Sequence, residues 1–187
     1  QYLLDKKASL FEYINMQLYF NQIEDEPEIV EDIPDLPDEP EVVEDTPSEP
    51  VITESYVAVL EIPKIDLKKG IYSMDSRYNT VSRNVAILSP SDYPNVSGGN
   101  FVLAAHSGNG YLSFFKNLYK LSTGDYAYIY YNDVKYSYKI TYIYKQAKTG
   151  TINVYRPYNK TTLMLITCTK NDESSQTVYV AELQSTE

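Results

Sequence analysis

Apolar residues fall in short bursts with a period of two along most of the chain after residue 55. The run YVAVLEI over 56–62 alternates and is rich in β-branched residues; it breaks at Pro63 and resumes in KIDLKKGIY. Such alternation puts every second side chain on one face of a sheet and predicts strands. NVAILS over 84–89 and NFVLAAH over 100–106 are apolar runs bounded by Pro90, Pro94, Gly98 and Gly99, the pattern of buried strands joined by turns. LSFFKNLYKL over 112–121 reads as the best short helix of this region. Tyr126, Tyr128 and Tyr130 alternate, as do Tyr136 with Tyr138 and Tyr142 with Tyr144, around an Asn132-Asp133 turn. The spacing predicts a hairpin with one aromatic face. Packed strand residues with polar tips account for such a stripe more often than a carbohydrate or peptide platform does. TTLMLIT over 161–167 and QTVYVAEL over 176–183 add two more strands. Many short strands with one helix point to a mostly β fold, a closed or partly closed barrel.

Before residue 55 the rhythm changes. In QYLLDKKASLFEYINMQLYFNQI, residues 1–23, the apolar positions Leu3, Leu4, Leu10, Phe11, Ile14, Leu18 and Tyr19 lie near helical spacing, which predicts an amphipathic helix. It could lie on a membrane, pack on the barrel or pair with a partner, although zero net charge weakens an electrostatic membrane anchor. Residues 24–54 hold 14 acidic residues, no basic ones and six of the ten prolines. Frequent proline removes backbone donors and like charges repel, so this stretch is expected to be an extended, disordered spacer, with an acidic docking tail as the less favoured reading. Removing those 14 from the 26 acidic residues leaves 12 against 16 basic, a net of +4 outside the spacer. The formal charge of −10 therefore belongs to one segment, and residues 55–187 form a mildly basic domain. No nucleic-acid partner is expected. No run approaches the roughly 20 apolar residues that span a bilayer. The chain opens at Gln1, which reads as a trimmed product.

The 187 residues contain one Cys and one His. One Cys forms no intramolecular disulfide, and a zinc cluster needs several ligands, so neither metal nor cofactor is expected. His106 ends the apolar run FVLAA and precedes Ser107, Gly108, Asn109 and Gly110; Cys168 ends LMLIT and precedes a polar run. Each alone has an ordinary structural explanation, a small buried hydrophobe or a satisfied core imidazole. The two together at strand ends fit a sulfur nucleophile with an imidazole partner. No nucleophile-elbow motif supports a serine alternative.

The strand ending FVLAAHSGNG, the segment FFKNLYKLSTGDYAYI, and LMLITC followed by a polar loop and QTVYVAEL resemble the sortases, the cell-surface transpeptidases of Gram-positive bacteria. The resemblance covers 56–183 and implies an eight-stranded closed β-barrel with short helices, of a class B- or D-like subtype. It implies Cys168 as nucleophile and His106 as general acid/base. The family's Thr-Leu-x-Thr-Cys strand has Met164 in place of the first Thr, at a position expected to face inward. The family's Arg, at the start of the strand after the Cys loop, is replaced here by Gln176. Gln176 could donate in its stead, a cation such as Arg156, Arg83 or Lys170 could reach the site, or the domain could be a degenerate, non-catalytic surface-binding module; the first is favoured. The loop 148–159 corresponds to the region that contacts the sorting motif, with Tyr155, Arg156 and Tyr158 as its foremost side chains and Thr167 beside the nucleophile. The implied partners are surface proteins bearing a sorting motif similar to Leu-Pro-x-Thr-Gly. A peptidoglycan-precursor or pilin amine would be the acceptor, and the implied location is the extracellular face of the membrane, with a single-pass anchor. No Asp-Pro-aromatic lid motif occurs in the first 55 residues, which favours anchoring over pilus polymerisation.

Overall fold

The computed structural model describes residues 55–149 and 151–187, so the expected helix over 1–23 and the acidic spacer over 24–54 lie outside the described residues. Eight strands form in chain order: β1 (Ala58–Ile62), β2 (Leu67–Ile71), β3 (Ala86–Ile87), β4 (Asn100–Ala104), β5 (Tyr126–Tyr131), β6 (Val134–Ala147), β7 (Thr162–Thr169) and β8 (Asp172–Thr186). They make one sheet in the order β2-β1-β5-β6-β8-β7-β4-β3, coiled into a nearly closed barrel. Every ladder is antiparallel except β4 with β7, where Ala104 pairs with Ile166.

The period of two sorts the strands' apolar side chains into two cores. Leu163 and Leu165 of β7 join Leu60, Phe101, Leu103, Phe115, Ile129 and Ile140 in the main cluster inside the barrel. Met164 and Ile166, one residue out of phase, join Val102, Ala104, Val178 and Val180 on the other face of the sheet, under Ile152. Met164 is thus buried but faces this outer cluster, not the barrel interior, and its sulfur accepts a hydrogen bond from Asn100 Nδ2 at 3.2 Å.

Two further expectations are corrected. The segment 112–121 is a chain of tight turns ending in a 3₁₀ turn, Leu118–Lys120, and not an α-helix. Its amides bond three residues back, Ser113 to Gly110, Lys116 to Ser113 and Leu118 to Phe115, while the Phe115 amide is taken by the carbonyl of His106 at 2.9 Å. That long-range bond removes a donor that an α-helix would send four residues back. The tyrosine hairpin does form, through Asn132 and Asp133 at φ 51° and 60°, the left-handed pair that a two-residue turn of this kind requires. Its register pairs Tyr131 with Val134, Ile129 with Tyr136 and Ala127 with Tyr138. Even positions on β5 therefore face odd positions on β6, and the tyrosines divide between two faces. Tyr136 and Tyr138 are buried in the main core; Tyr126, Tyr128 and Tyr130 point outward, where the Tyr130 hydroxyl donates to Glu61 Oε2 at 2.7 Å.

Candidate active site

His106 lies two residues beyond the end of β4, and Cys168 is the penultimate residue of β7. Ala104 pairs with Ile166 in the parallel ladder, and continuing that register by two residues sets His106 beside Cys168. On the other side of β7, Cys168 pairs directly with Gln176 of β8, and Gln176 with Gln146 of β6. Residues two positions away along these strands, Ala104, Ile166, Val178 and Tyr144, all belong to or pack on the outer core. His106, Cys168 and Gln176 therefore form a transverse row on that same face, with strand spacings of about 4.8 Å.

Three hydrogen bonds staple the two strand ends together. Ala105 N donates to Ile166 O at 3.3 Å, Thr167 Oγ1 to Ala105 O at 2.7 Å, and Ser107 Oγ to Cys168 O at 2.8 Å. Thr167, adjacent to Cys168 in sequence, has its hydroxyl engaged in this stapling. Just after Cys168 the ladder bulges, Thr169 pairing with Asp172, which turns the chain at Asn171, φ 60°. Bulges of this kind re-aim side chains beside functional sites.

Cavities flank the row on both sides. A crevice of about 20 Å³ is lined by Ala104, His106, Ile166, Cys168 and Gln176 together. Ile166 also belongs to a larger cavity of about 490 Å³, floored by Val102, Met164, Ile152 and Val154 and edged by Arg156 and Tyr158. On the opposite side His106 and Cys168 open onto a polar cavity of about 740 Å³. Of the three cations that could stand in for arginine, Lys170 lines the cavity holding Cys168 and His106, with its ammonium 3.5 Å over the Tyr119 ring. Arg156 is occupied elsewhere: Nη1 donates to Gly98 O at 3.0 Å and to Thr162 Oγ1 at 3.3 Å, pinning the loop to the start of β4. Arg83 lies against Tyr78. Gln176, 3% exposed, is the polar side chain from the neighbouring strand that reaches the crevice. Tyr158 stands at the groove edge over Arg156, whereas Tyr155 packs edge-on against Tyr144 and does not line the 490 Å³ cavity. Among the described residues no cluster of His, Cys, Asp and Glu is arranged to hold a metal ion.

Burial lowers the pKa of His106 from its ordinary 6.5, so the imidazole is neutral at pH 7. The folded chain binds this proton more weakly than the unfolded chain does. Its contribution to stability is fully present above pH 6.5 and is lost as pH falls through the lowered folded-state value. Urea unfolding of the full chain is expected to show a lower midpoint at pH 5.5 than at pH 7.5, with the difference reduced in His106→Gln. An identical pH difference in that variant would mean that burial of the imidazole does not set it.

Two participants escape a reading by residue type. Tyr144 and Gln146, both on β6, grip the loop beside the groove. Tyr144 OH donates to Asn153 O at 2.6 Å and accepts from Tyr155 N at 3.3 Å, and Gln146 Oε1 accepts from Asn153 N at 2.8 Å. Burial pushes the Tyr144 phenol up to about 12, so it stays protonated and can donate. Alternation marks Tyr144 as a strand residue, but only the register of β6 on β8 reveals that it shares a face with Cys168.

A model of the sortase domain matches residues 60–184. Among solved structures, sortase A from Corynebacterium diphtheriae is 26% identical with a TM-score of 0.61, over 71% of this chain and 62% of that one. Sortase C1 of Streptococcus agalactiae, solved as a complex with MTSET, is 25% identical with a TM-score of 0.62, over 70% of each chain. Streptococcus pneumoniae sortase C, 21% identical with a TM-score of 0.62, shares the fold over 72% of this chain and 68% of that one. The chain thus spans less than two thirds of the corynebacterial protein's length. No curated protein sequence matches it.

Proposed function

The chain belongs to the sortase family, and we propose that it is a cysteine transpeptidase that cleaves an LPxTG-like sorting motif and joins the acyl part to an amine of the cell wall. The observation that carries this reading is the transverse row of His106, Cys168 and Gln176 between an apolar groove and a polar cavity. Cys168 passes its proton to the neutral His106 as Sγ attacks the scissile carbonyl. His106 returns that proton to the departing amine as the C–N bond breaks, leaving a thioester. An acceptor amine then attacks the thioester carbonyl, His106 moves its proton to Sγ, and the thiol is restored with a new amide bond. The Gln176 amide stands where it can donate to the oxyanion of each tetrahedral intermediate. The apolar groove running from Ile166 to Arg156 and Tyr158 receives the motif, and surface proteins carrying it are the donors. Such chemistry belongs on the extracellular face of the membrane, and anchoring of surface proteins is the reading we favour, of a class B- or D-like kind.

The test is mass spectrometry of the full chain incubated with a sorting-motif peptide library. A thioester adduct on Cys168 is expected; absence of an adduct with every member would leave the second reading, a binding domain without turnover, which the glutamine at position 176 favours. The loop grip adds a prediction. Tyr144→Phe removes two hydrogen bonds that position 153–155, each worth about 1 kcal/mol. KM for the sorting peptide is expected to rise several-fold with kcat nearly unchanged; an unchanged KM would separate that loop from peptide binding.

A further inference from the structure

The groove that reaches Ile166 and the polar cavity that Cys168 lines differ in charge. The 490 Å³ groove has an apolar floor and is lined by one cation, Arg156, and one carboxylate, Asp92. The other side of the nucleophile opens onto the 740 Å³ cavity and an adjoining one of about 420 Å³. Lys116, Lys148 and Lys170 line the larger, and Lys116, Lys145 and Lys170 the smaller. The carboxylates facing them are Asp172 and Glu173. Asp172 is already engaged: Oδ1 accepts from Ser174 N at 3.1 Å and Ser174 Oγ at 2.6 Å, and Oδ2 accepts from Ser175 Oγ at 2.5 Å. None of the ion pairs between described residues involves these four lysines. Lys170 is held at the wall over the Tyr119 ring.

An amine in neutral water is mostly an ammonium, and a rim of four cations against two carboxylates repels it. An acceptor that brings its own anion reverses the sign of that interaction, and the same rim then favours the uncharged amine that the attack requires. Resting on the transpeptidase reading, we infer that the acceptor is an amine whose molecule carries a free carboxylate within the span of this cavity. The carboxylate lies against Lys116, Lys148 and Lys170 while the amine nitrogen reaches the thioester beside His106. The new C–N bond forms as the C–S bond breaks, and His106 carries the amine's proton to Sγ.

Nα-acetyl-lysine and its carboxamide present the same ε-amine and differ in one charge. Offered together to the thioacyl form of the full chain, the carboxylate compound is expected to be consumed about fivefold faster at low ionic strength, the size of a partly exposed ion pair. The preference should shrink in 0.5 M salt as screening shortens to a few Å. It should vanish in Lys116→Gln/Lys148→Gln/Lys170→Gln, or fall in part in the single exposed variant Lys116→Gln should the triple one not fold. Equal rates, a preference for the amide, or a preference untouched by Lys116→Gln would overturn the assignment. A second measurement needs no turnover: the carboxylate compound should slow iodoacetamide alkylation of Cys168 more than the amide does, in the absence of any peptide. Equal protection, or none, would equally overturn it, whereas failure to form a thioacyl enzyme counts against the proposed function alone.

Discussion

Full-length chain carrying Cys168→Ala is expected to cleave no sorting-motif peptide and to accumulate no acyl adduct, a loss on the order of 10⁴-fold or more. The size follows from the step removed. Without Sγ no covalent intermediate exists, and His106 and Gln176 are left to act on water, a far weaker nucleophile than a thiolate. The fold should survive, because Cys168 is half-buried at a strand end and its backbone contacts, including the carbonyl that accepts from Ser107, do not involve the sulfur. Circular dichroism and the urea midpoint of the variant should stay within about 1 kcal/mol of the parent. Cleavage retained in this variant would place the nucleophile elsewhere and remove the mechanism.

Gln176→Met is expected to lower kcat by about 10²–10³-fold with little change in KM. Methionine keeps the length and volume of glutamine and fills the same place between Gln146 and Cys168 in the ladder, but it brings no donor. A charge that develops on the carbonyl oxygen during attack would then lose a preorganised hydrogen bond, a deficit felt in the transition state and not in the bound ground state. Steady-state kinetics with a sorting peptide separates the outcomes. A variant with parental kcat would show that Gln176 does not stabilise the oxyanion, and Lys170, which lines the polar side of the same site, would become the group to replace next. Thiol alkylation of Cys168 in the variant checks that the nucleophile remains accessible.

The strands were legible because alternation survives wherever one face is buried, and β1, β4, β7 and β8 appear close to where the pattern puts them. Two things were hidden. The 112–121 segment has helical composition, but the competing acceptor is the carbonyl of His106, several residues upstream and outside any local window. The tyrosines of the hairpin share parity in number yet not in face, since the two-residue turn pairs residues whose numbers sum to an odd value, as Tyr131 with Val134. The candidate site shows the same division. A lone Cys and a lone His at strand ends draw attention by type alone. Gln176 became a candidate through resemblance, and Tyr144 and Gln146 emerge only from the pairing of β6 with β8, which no local pattern encodes.

The Cys168–Gln176 pair lies within the β7–β8 ladder, and His106 is tied to it by the Ser107 and Thr167 hydrogen bonds. The groove wall, by contrast, is a loop bolted on by Tyr144, Gln146 and Arg156. On the proposed function, chemistry and selectivity would be carried by separable parts of the chain. If that reading holds, the 148–159 loop can be exchanged for one of different length or composition, provided those three anchors persist, and the barrel would accept a new peptide vocabulary without any adjustment of the His106–Cys168–Gln176 row.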